Sequence, residues 1–224
     1  MAAGATLAER IHAVRERIAR AAARAGRRAE EITLVAVTKV FPAEVIIEAH
    51  SLGLREFGEN YVQEFESKHA VVHGLPGARF HLIGHLQSNK SRRAAELFGV
   101  IQTVDSVKLA RRLGETGRPL DVMIEVKLSD EEAKSGAGPD EIGPVADAVR
   151  GCTNLKLLGL MTMPPWSDDA EVSRPYFRRL RECAERYGLT GLSMGMSHDL
   201  ETAVEEGATM IRVGTALFGR RLKK

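Results

Sequence analysis

The sequence predicts an α/β protein built as a single (β/α)8 barrel with an extra N-terminal helix. Short apolar runs rich in β-branched residues alternate with amphipathic stretches along the whole chain. Eight such β/α pairs follow one leading helix, evenly spaced and without an obvious linker. The 224 residues suit one large domain spanning 1–224, able to bury a sizeable core. A doubly wound open sheet is the structural alternative. The number and even spacing of the strands favour the closed, TIM-like solution.

The elements are justified in order. Within residues 1–30, Leu7, Ile11, Val14 and Ile18 recur at helical spacing, and Glu9 and Glu16 stand among the arginines. That stretch reads as an amphipathic helix docked on the barrel, not as a transit peptide. The apolar run Ile32–Val40 (ITLVAVTKV) predicts the first strand, Thr33–Lys39. Further strands are predicted at Arg55–Phe57, Phe80–Ile83, Val100–Thr103, Asp121–Lys127, Lys156–Leu160, Gly191–Ser193 and Met210–Val213. Helices fall between them at Pro42–Leu52, Tyr61–His73, Ser88–Phe98, Ser106–Thr116, Pro139–Arg150, Ala170–Tyr187 and His198–Glu206, with a short one near Ala216.

Composition narrows the function classes. A net charge of +2, with 28% charged residues, gives no reason to expect nucleic acid or membrane. The basic clusters Arg24–Arg28 and Arg178–Arg181 read as solvated helix faces. Two cysteines, Cys152 and Cys183, match neither zinc nor CxxC spacing, which suits a reducing, cytoplasmic compartment. No metal site is expected, and no apolar run approaches the length of a bilayer span. The expected state is a monomer or a weak dimer.

In a barrel of this kind chemistry gathers at the C-terminal ends of the strands. Lys39 stands at such an end and shares a strand face with Val35 and Val37. Desolvation there is expected to lower its pKa toward the reactive neutral amine. The plainer reading is a strand end whose ammonium reaches solvent. Ser197, predicted as the N-cap of the helix at His198–Glu206, and Gly214-Thr215 after the last strand offer backbone N–H groups and hydroxyls for a phosphate. A simple cap and a tight turn are the plainer readings of those two. Arg212, two residues before Gly214, is expected to project into the barrel mouth, toward a ring nitrogen or toward a structural carboxylate. Closure brings the first strand beside the last. An amine, a phosphate cradle and an inward arginine then form the minimum set for pyridoxal 5′-phosphate (PLP). An arginine at the ring nitrogen would leave that nitrogen unprotonated and weaken the cofactor as an electron sink.

These residues also carry a family resemblance. Leu34–Lys39 (LVAVTK), Phe57–Glu64 (FGENYVQE), His81–Lys90 (HLIGHLQSNK), Lys134–Gly136 (KSG), Gly159–Pro164 (GLMTMP), Leu192–Ser197 (LSMGMS) and Ile211–Gly219 (IRVGTALFG) resemble the pyridoxal phosphate homeostasis proteins. The resemblance implies a barrel like the N-terminal domain of alanine racemase, with PLP held as a Schiff base on Lys39. It implies that Ser197, Gly214 and Thr215 hold the phosphate and that Arg212 approaches the pyridine nitrogen. Asn60 and Met161 would line the cofactor, with Ser88, Asn89 and Lys90 at the rim. The implied function is binding and supply of PLP in vitamin B6 homeostasis, with PLP-dependent apo-enzymes as recipients and no catalytic turnover.

Two other readings are carried forward. A small PLP-dependent racemase would need a second, β-rich domain and a tyrosine opposite the lysine. The sequence stops at Lys224, soon after the last barrel unit, and Tyr61, Tyr176 and Tyr187 are its only tyrosines. A phosphosugar-type barrel enzyme would use Lys39 as a counter-charge and need rim carboxylates, for which Glu59 and Glu125 are candidates. His85 and His198 are given no catalytic role. Lys90 and Lys134 are read as surface lysines.

Overall fold

The structure is a computed structural model, and it describes residues 4–129 and 135–219. Eight parallel strands run in chain order: β1 Thr33–Val37, β2 Glu56–Glu59, β3 Arg79–Leu82, β4 Val100–Val104, β5 Leu120–Glu125, β6 Leu155–Met161, β7 Gly191–Met196 and β8 Met210–Val213. Each pairs with its neighbours, and β1 pairs with β8 with Val35 opposite Arg212, so the sheet closes into a barrel.

Around it lie α1 Leu7–Arg24, α2 Ala43–Ser51, α3 Val62–Val72, α4 Ser91–Leu97, α5 Val107–Gly114, α6 Ile142–Arg150, α7 Arg174–Arg186, α8 Leu200–Glu205 and α9 Thr215–Phe218. Alternation along the strands divides their side chains between two environments. Residues such as Ala36, Phe57, Leu82 and Ile211 join the layer of core beneath the helices. Phe65 of α3 anchors that layer, its ring centroid 4.8 Å from those of both Phe80 and Phe98. The opposite strand faces fill the barrel interior.

Helix α1 starts with a reciprocal cap. Thr6 Oγ1 accepts the Glu9 N–H at 3.3 Å, and Glu9 Oε2 accepts the Thr6 N–H at 2.7 Å. Its stripe of Leu7, Ile11, Val14 and Ile18 is buried, and the helix packs on α8 and α9. Among the described residues no helix is long and apolar enough to cross a membrane.

Three local expectations are corrected. The first strand ends at Val37, so Lys39 stands in the turn beyond it. Strand β7 continues past Ser193 to Met196, through Gly195 at φ +89°. A Cβ at Gly195 would come within 2.4 Å of the Ala203 Cβ, so this bulge admits only glycine without local movement. Ser197 is not the N-cap of α8. Asp199 holds that position, and its Oδ1 accepts the Met196 N–H at 2.7 Å.

Candidate functional site

A cavity of about 280 Å³ opens among the loops that follow β1, β2, β6, β7 and β8. Lys39, Asn60, Ser197, Arg212, Gly214 and Thr215 line it, from strands at both ends of the chain. Met161 does not. It is fully buried on β6, opposite Glu125 of β5. The rest of the wall is largely apolar: Val37, Phe41, Ile83, Met163, Trp166 and Met196. Such a wall, with a few convergent polar groups, suits one compact, flat ligand.

The turn that carries Lys39 is fixed from behind. Phe41 N–H donates to the Thr38 carbonyl at 3.1 Å, and Val40 between them has φ 64°. A β-branched residue in the left-handed region costs on the order of 1–3 kcal/mol and persists only where its surroundings impose it. Here Val40 N–H donates to Glu64 Oε1 at 2.5 Å. Lys68, one turn along α3 from Glu64, donates to Glu64 at 2.7 Å, to Glu59 at 3.0 Å and to the Thr38 carbonyl at 3.1 Å. Thr38 Oγ1 donates to Glu59 Oε1 at 2.8 Å. Both chain neighbours of Lys39 are therefore tied to one buried ion cluster. Burial pushes the Glu59 carboxyl upward in pKa, and Lys68 opposes the shift.

The opposite wall is built by Ser197. Its Oγ accepts N–H bonds from Gly214 at 3.2 Å and Ala216 at 3.1 Å. The Gly214 amide, expected to be open to a ligand, is thus already engaged. Because Ser197 Oγ accepts both bonds, its own O–H is left to donate. Helix α1 braces this wall: Arg17 donates to the Ser197 carbonyl at 3.0 Å and pairs with Glu201, while Arg10 donates to the Leu217 carbonyl at 2.5 Å.

Arg212 forms the floor and is only 3% exposed. Its guanidinium donates to Ser193 Oγ at 2.6 Å and to the Thr162 carbonyl at 2.9 Å. Burial pulls its pKa down to about 10, against the pull of Asp199 and Glu125, so it stays charged at neutral pH. Behind Ser193 the polar contacts continue through Gln102 and His81 to Glu56. Glu125, 4% exposed, has its pKa raised to about 7, first by burial and then by Asp105, with Arg212 opposing. Its Oε2 has no hydrogen-bond partner among the described residues.

The remaining candidates are dispersed. Tyr61 is 59% exposed, and Tyr176 packs against the core. Tyr187 does likewise and donates to the Pro139 carbonyl at 3.3 Å. His85 pairs with Asp105 at 3.4 Å, outside the cavity lining. Ser88 and Asn89 line a separate depression with Arg92, Lys108 and Arg112, and Lys90 closes the 3-10 turn Ser88–Lys90 before α4. Lys134 lies outside the described residues. Neither rim carboxylate meets the phosphosugar reading: Glu59 faces the helical layer, and Glu125 lies outside the lining.

Sequence reasoning missed Phe41, Trp166 and the placement of His198. Trp166 is 70% exposed, lines the cavity and has its ring centroid 4.9 Å from that of His198, whose buried Nε2 has no partner among the described residues. A lone tryptophan in the Pro164-Pro165-Trp166 loop after a barrel strand was the available signal.

Comparison with known proteins locates this barrel among others. Residues 10–221 match the family model "Alanine racemase, N-terminal domain". The pyridoxal phosphate homeostasis protein of Pseudomonas aeruginosa is 46% identical over 222 residues, covering 96% of both chains. The chain belongs to the pyridoxal phosphate homeostasis protein family. The protein of that name from Aquifex aeolicus is 41% identical, over 95% of this chain and 97% of its own. PipY of Synechococcus elongatus, solved with PLP bound, superposes with a TM-score of 0.82 at 37% identity, covering 96% of this chain and all of PipY. Alanine racemase of Clostridium difficile superposes over 94% of this chain and 57% of its own, with a TM-score of 0.69 at 12% identity, a likeness of fold alone.

Proposed function

We propose that this protein binds PLP in the cavity under Lys39 and serves as its carrier or buffer in the cell, without catalytic turnover. The observation that carries the reading is the convergence of three unlike groups on one small, largely apolar cavity. These are the half-buried Lys39, the buried guanidinium of Arg212 and the hydroxyl-bearing wall of Ser197, Gly214 and Thr215. PLP brings an aldehyde, a pyridine ring and a phosphate, and each finds a counterpart. Lys39 supplies the amine that links covalently to the aldehyde, with loss of water. Ser197 and Thr215 supply hydroxyls to the phosphate, and the Nε2 of His198 beside them, without a partner among the described residues, suits the same anion. Arg212 faces the ring nitrogen as a permanent donor. Val37, Ile83 and Met196 exclude water from the ring. PipY, with PLP bound, supports the reading from a relative.

The alternative, a small racemase, needs a proton donor opposite the lysine. Tyr61 is exposed and outside the lining, which favours the carrier. Purified protein is expected to be yellow, with an imine absorbance that borohydride fixes onto Lys39. An unchanged imine spectrum in Lys39→Ala would remove the assignment. Transfer of bound PLP to an apo-enzyme faster than its release into buffer is the result expected of a carrier. Sustained racemisation of an amino acid, abolished by Lys39→Ala, would instead establish the enzyme.

A further inference from the structure

A single chain of hydrogen bonds crosses the barrel interior from the cavity floor to the opposite end. Arg212 Nη1–H donates to Ser193 Oγ at 2.6 Å, and the Ser193 O–H lies 2.6 Å from Gln102 Oε1. Gln102 Nε2 is 2.9 Å from His81 Nδ1, and His81 Nε2 is 2.5 Å from Glu56 Oε2. Gln102 is on β4 and Ser193 on β7, with two strands between them one way round the ring and four the other, so their bond spans the barrel interior.

Donor and acceptor roles follow from one end to the other. Ser193 Oγ accepts from the guanidinium, which leaves its proton for Gln102 Oε1. That fixes the amide so that its NH2 faces His81 Nδ1, which must then be an acceptor. His81 is neutral in this arrangement, in agreement with the burial that pushes its pKa down, and carries its proton on Nε2, toward Glu56. Every bond points the same way, from the cation at the cavity to the carboxylate at the far end. Such chains polarise one another and resist reorientation of any member. Gln102 and Ser193 are fully buried, so water offers neither a substitute partner.

We propose that Ser193 and Gln102, backed by His81 and Glu56, are positioning residues that hold the Arg212 guanidinium at the cavity floor and thereby slow release of the bound cofactor. This rests on the reading of the cavity as a PLP site. Arginine has rotamer freedom to lose, and a guanidinium held by a buried hydroxyl and the Thr162 carbonyl presents a fixed edge to a ring nitrogen. Each residue behind Ser193 removes one alternative orientation from the one before it.

The test combines a cofactor-independent readout with a cofactor readout on the full chain. Nitrogen-15 NMR reports rotation of the Arg212 guanidinium, assigned by comparison with Arg212→Lys, and stopped-flow absorbance reports PLP release. Wild type and Ser193→Thr, which keeps the hydroxyl, should show slow guanidinium rotation. Ser193→Ala and Gln102→Leu should show fast rotation and PLP release faster by roughly tenfold or more, the worth of one charge-assisted hydrogen bond. Ser193→Ala deletes a single oxygen and decides the matter should Gln102→Leu fail to fold. Slow rotation and wild-type release in Ser193→Ala overturn the proposal, as does fast rotation with unchanged release. If wild type binds no PLP, the reading of the cavity fails, and the proposed role in cofactor retention falls with it; the rotation measurement still shows separately whether the chain orders Arg212.

Discussion

Glu125 of β5 and Arg212 of β8 are both buried, and burial shifts the one up in pKa and the other down. The carboxyl is raised to about 7, whereas an ordinary glutamate releases its proton near 4.5. Between those values the native state binds more protons than the unfolded chain, so Glu125 makes stability fall as pH rises through that window. Replacing it by glutamine removes the titration. Urea unfolding at pH 5 and pH 8 should therefore show a smaller loss for Glu125→Gln than for wild type, by up to about 3 kcal/mol. Parallel losses would mean the carboxyl is ionised throughout. At this scale the sequence was informative where a residue type has one use. Lys39, Ser197, Arg212 and Gly214-Thr215 were legible from strand phase and position, and they do line one cavity. The role of Ser197 was not: its hydroxyl bonds to amides on the next βα loop, a contact between residues 17 or more apart that no local pattern encodes. Met161 came from the family resemblance alone, and here it is buried on β6 outside the cavity lining.

The turn between β1 and α2 is the element on which the candidate site depends most. Lys68 ties Thr38, Glu59 and Glu64 together beneath it, and Glu59 is fully buried. Lys68→Met leaves that carboxylate without its cation, at an expected cost of about 3–5 kcal/mol. The double variant Lys68→Met with Glu59→Gln should recover a substantial part of the loss in chemical denaturation, because the buried charge goes with its partner. A double variant no more stable than the single one would assign the loss to packing. Strand and helix identities were largely legible from periodicity, and their boundaries were less so. Ser88–Lys90, Pro139–Glu141 and Ala170–Ser173 are 3-10 turns that lead into helices, and their spacing of apolar residues merges with the helical one. Gly195 resembles a strand terminus in sequence, yet the strand passes through it as a bulge. The interior polar chain left a fainter mark: His81, Gln102 and Ser193 interrupt otherwise apolar strands, each with a bonding partner on another strand.

For the whole molecule the barrel topology was legible because eight β/α units in sequence have few compact arrangements. The bracing of the β7 and β8 loops by Arg10 and Arg17 of α1 was not, since exposed-looking arginines on an amphipathic helix carry no address. The pairing of β1 with β8 has a consequence for the protein's lifetime. A ligand attached to the turn after β1 and gripped from β8 acts as a latch across the seam between the first and last strands. At a hundredfold excess over its dissociation constant such a ligand deepens the native well by about 2.7 kcal/mol. Loaded protein should outlast empty protein in limited proteolysis, with amide exchange slowed most along β1 and β8 and least along β4 and β5. Uniform slowing around the ring would argue against a latch. Where the latch operates, turnover of the protein becomes a gauge of ligand supply: chains left empty open at the seam and are degraded first.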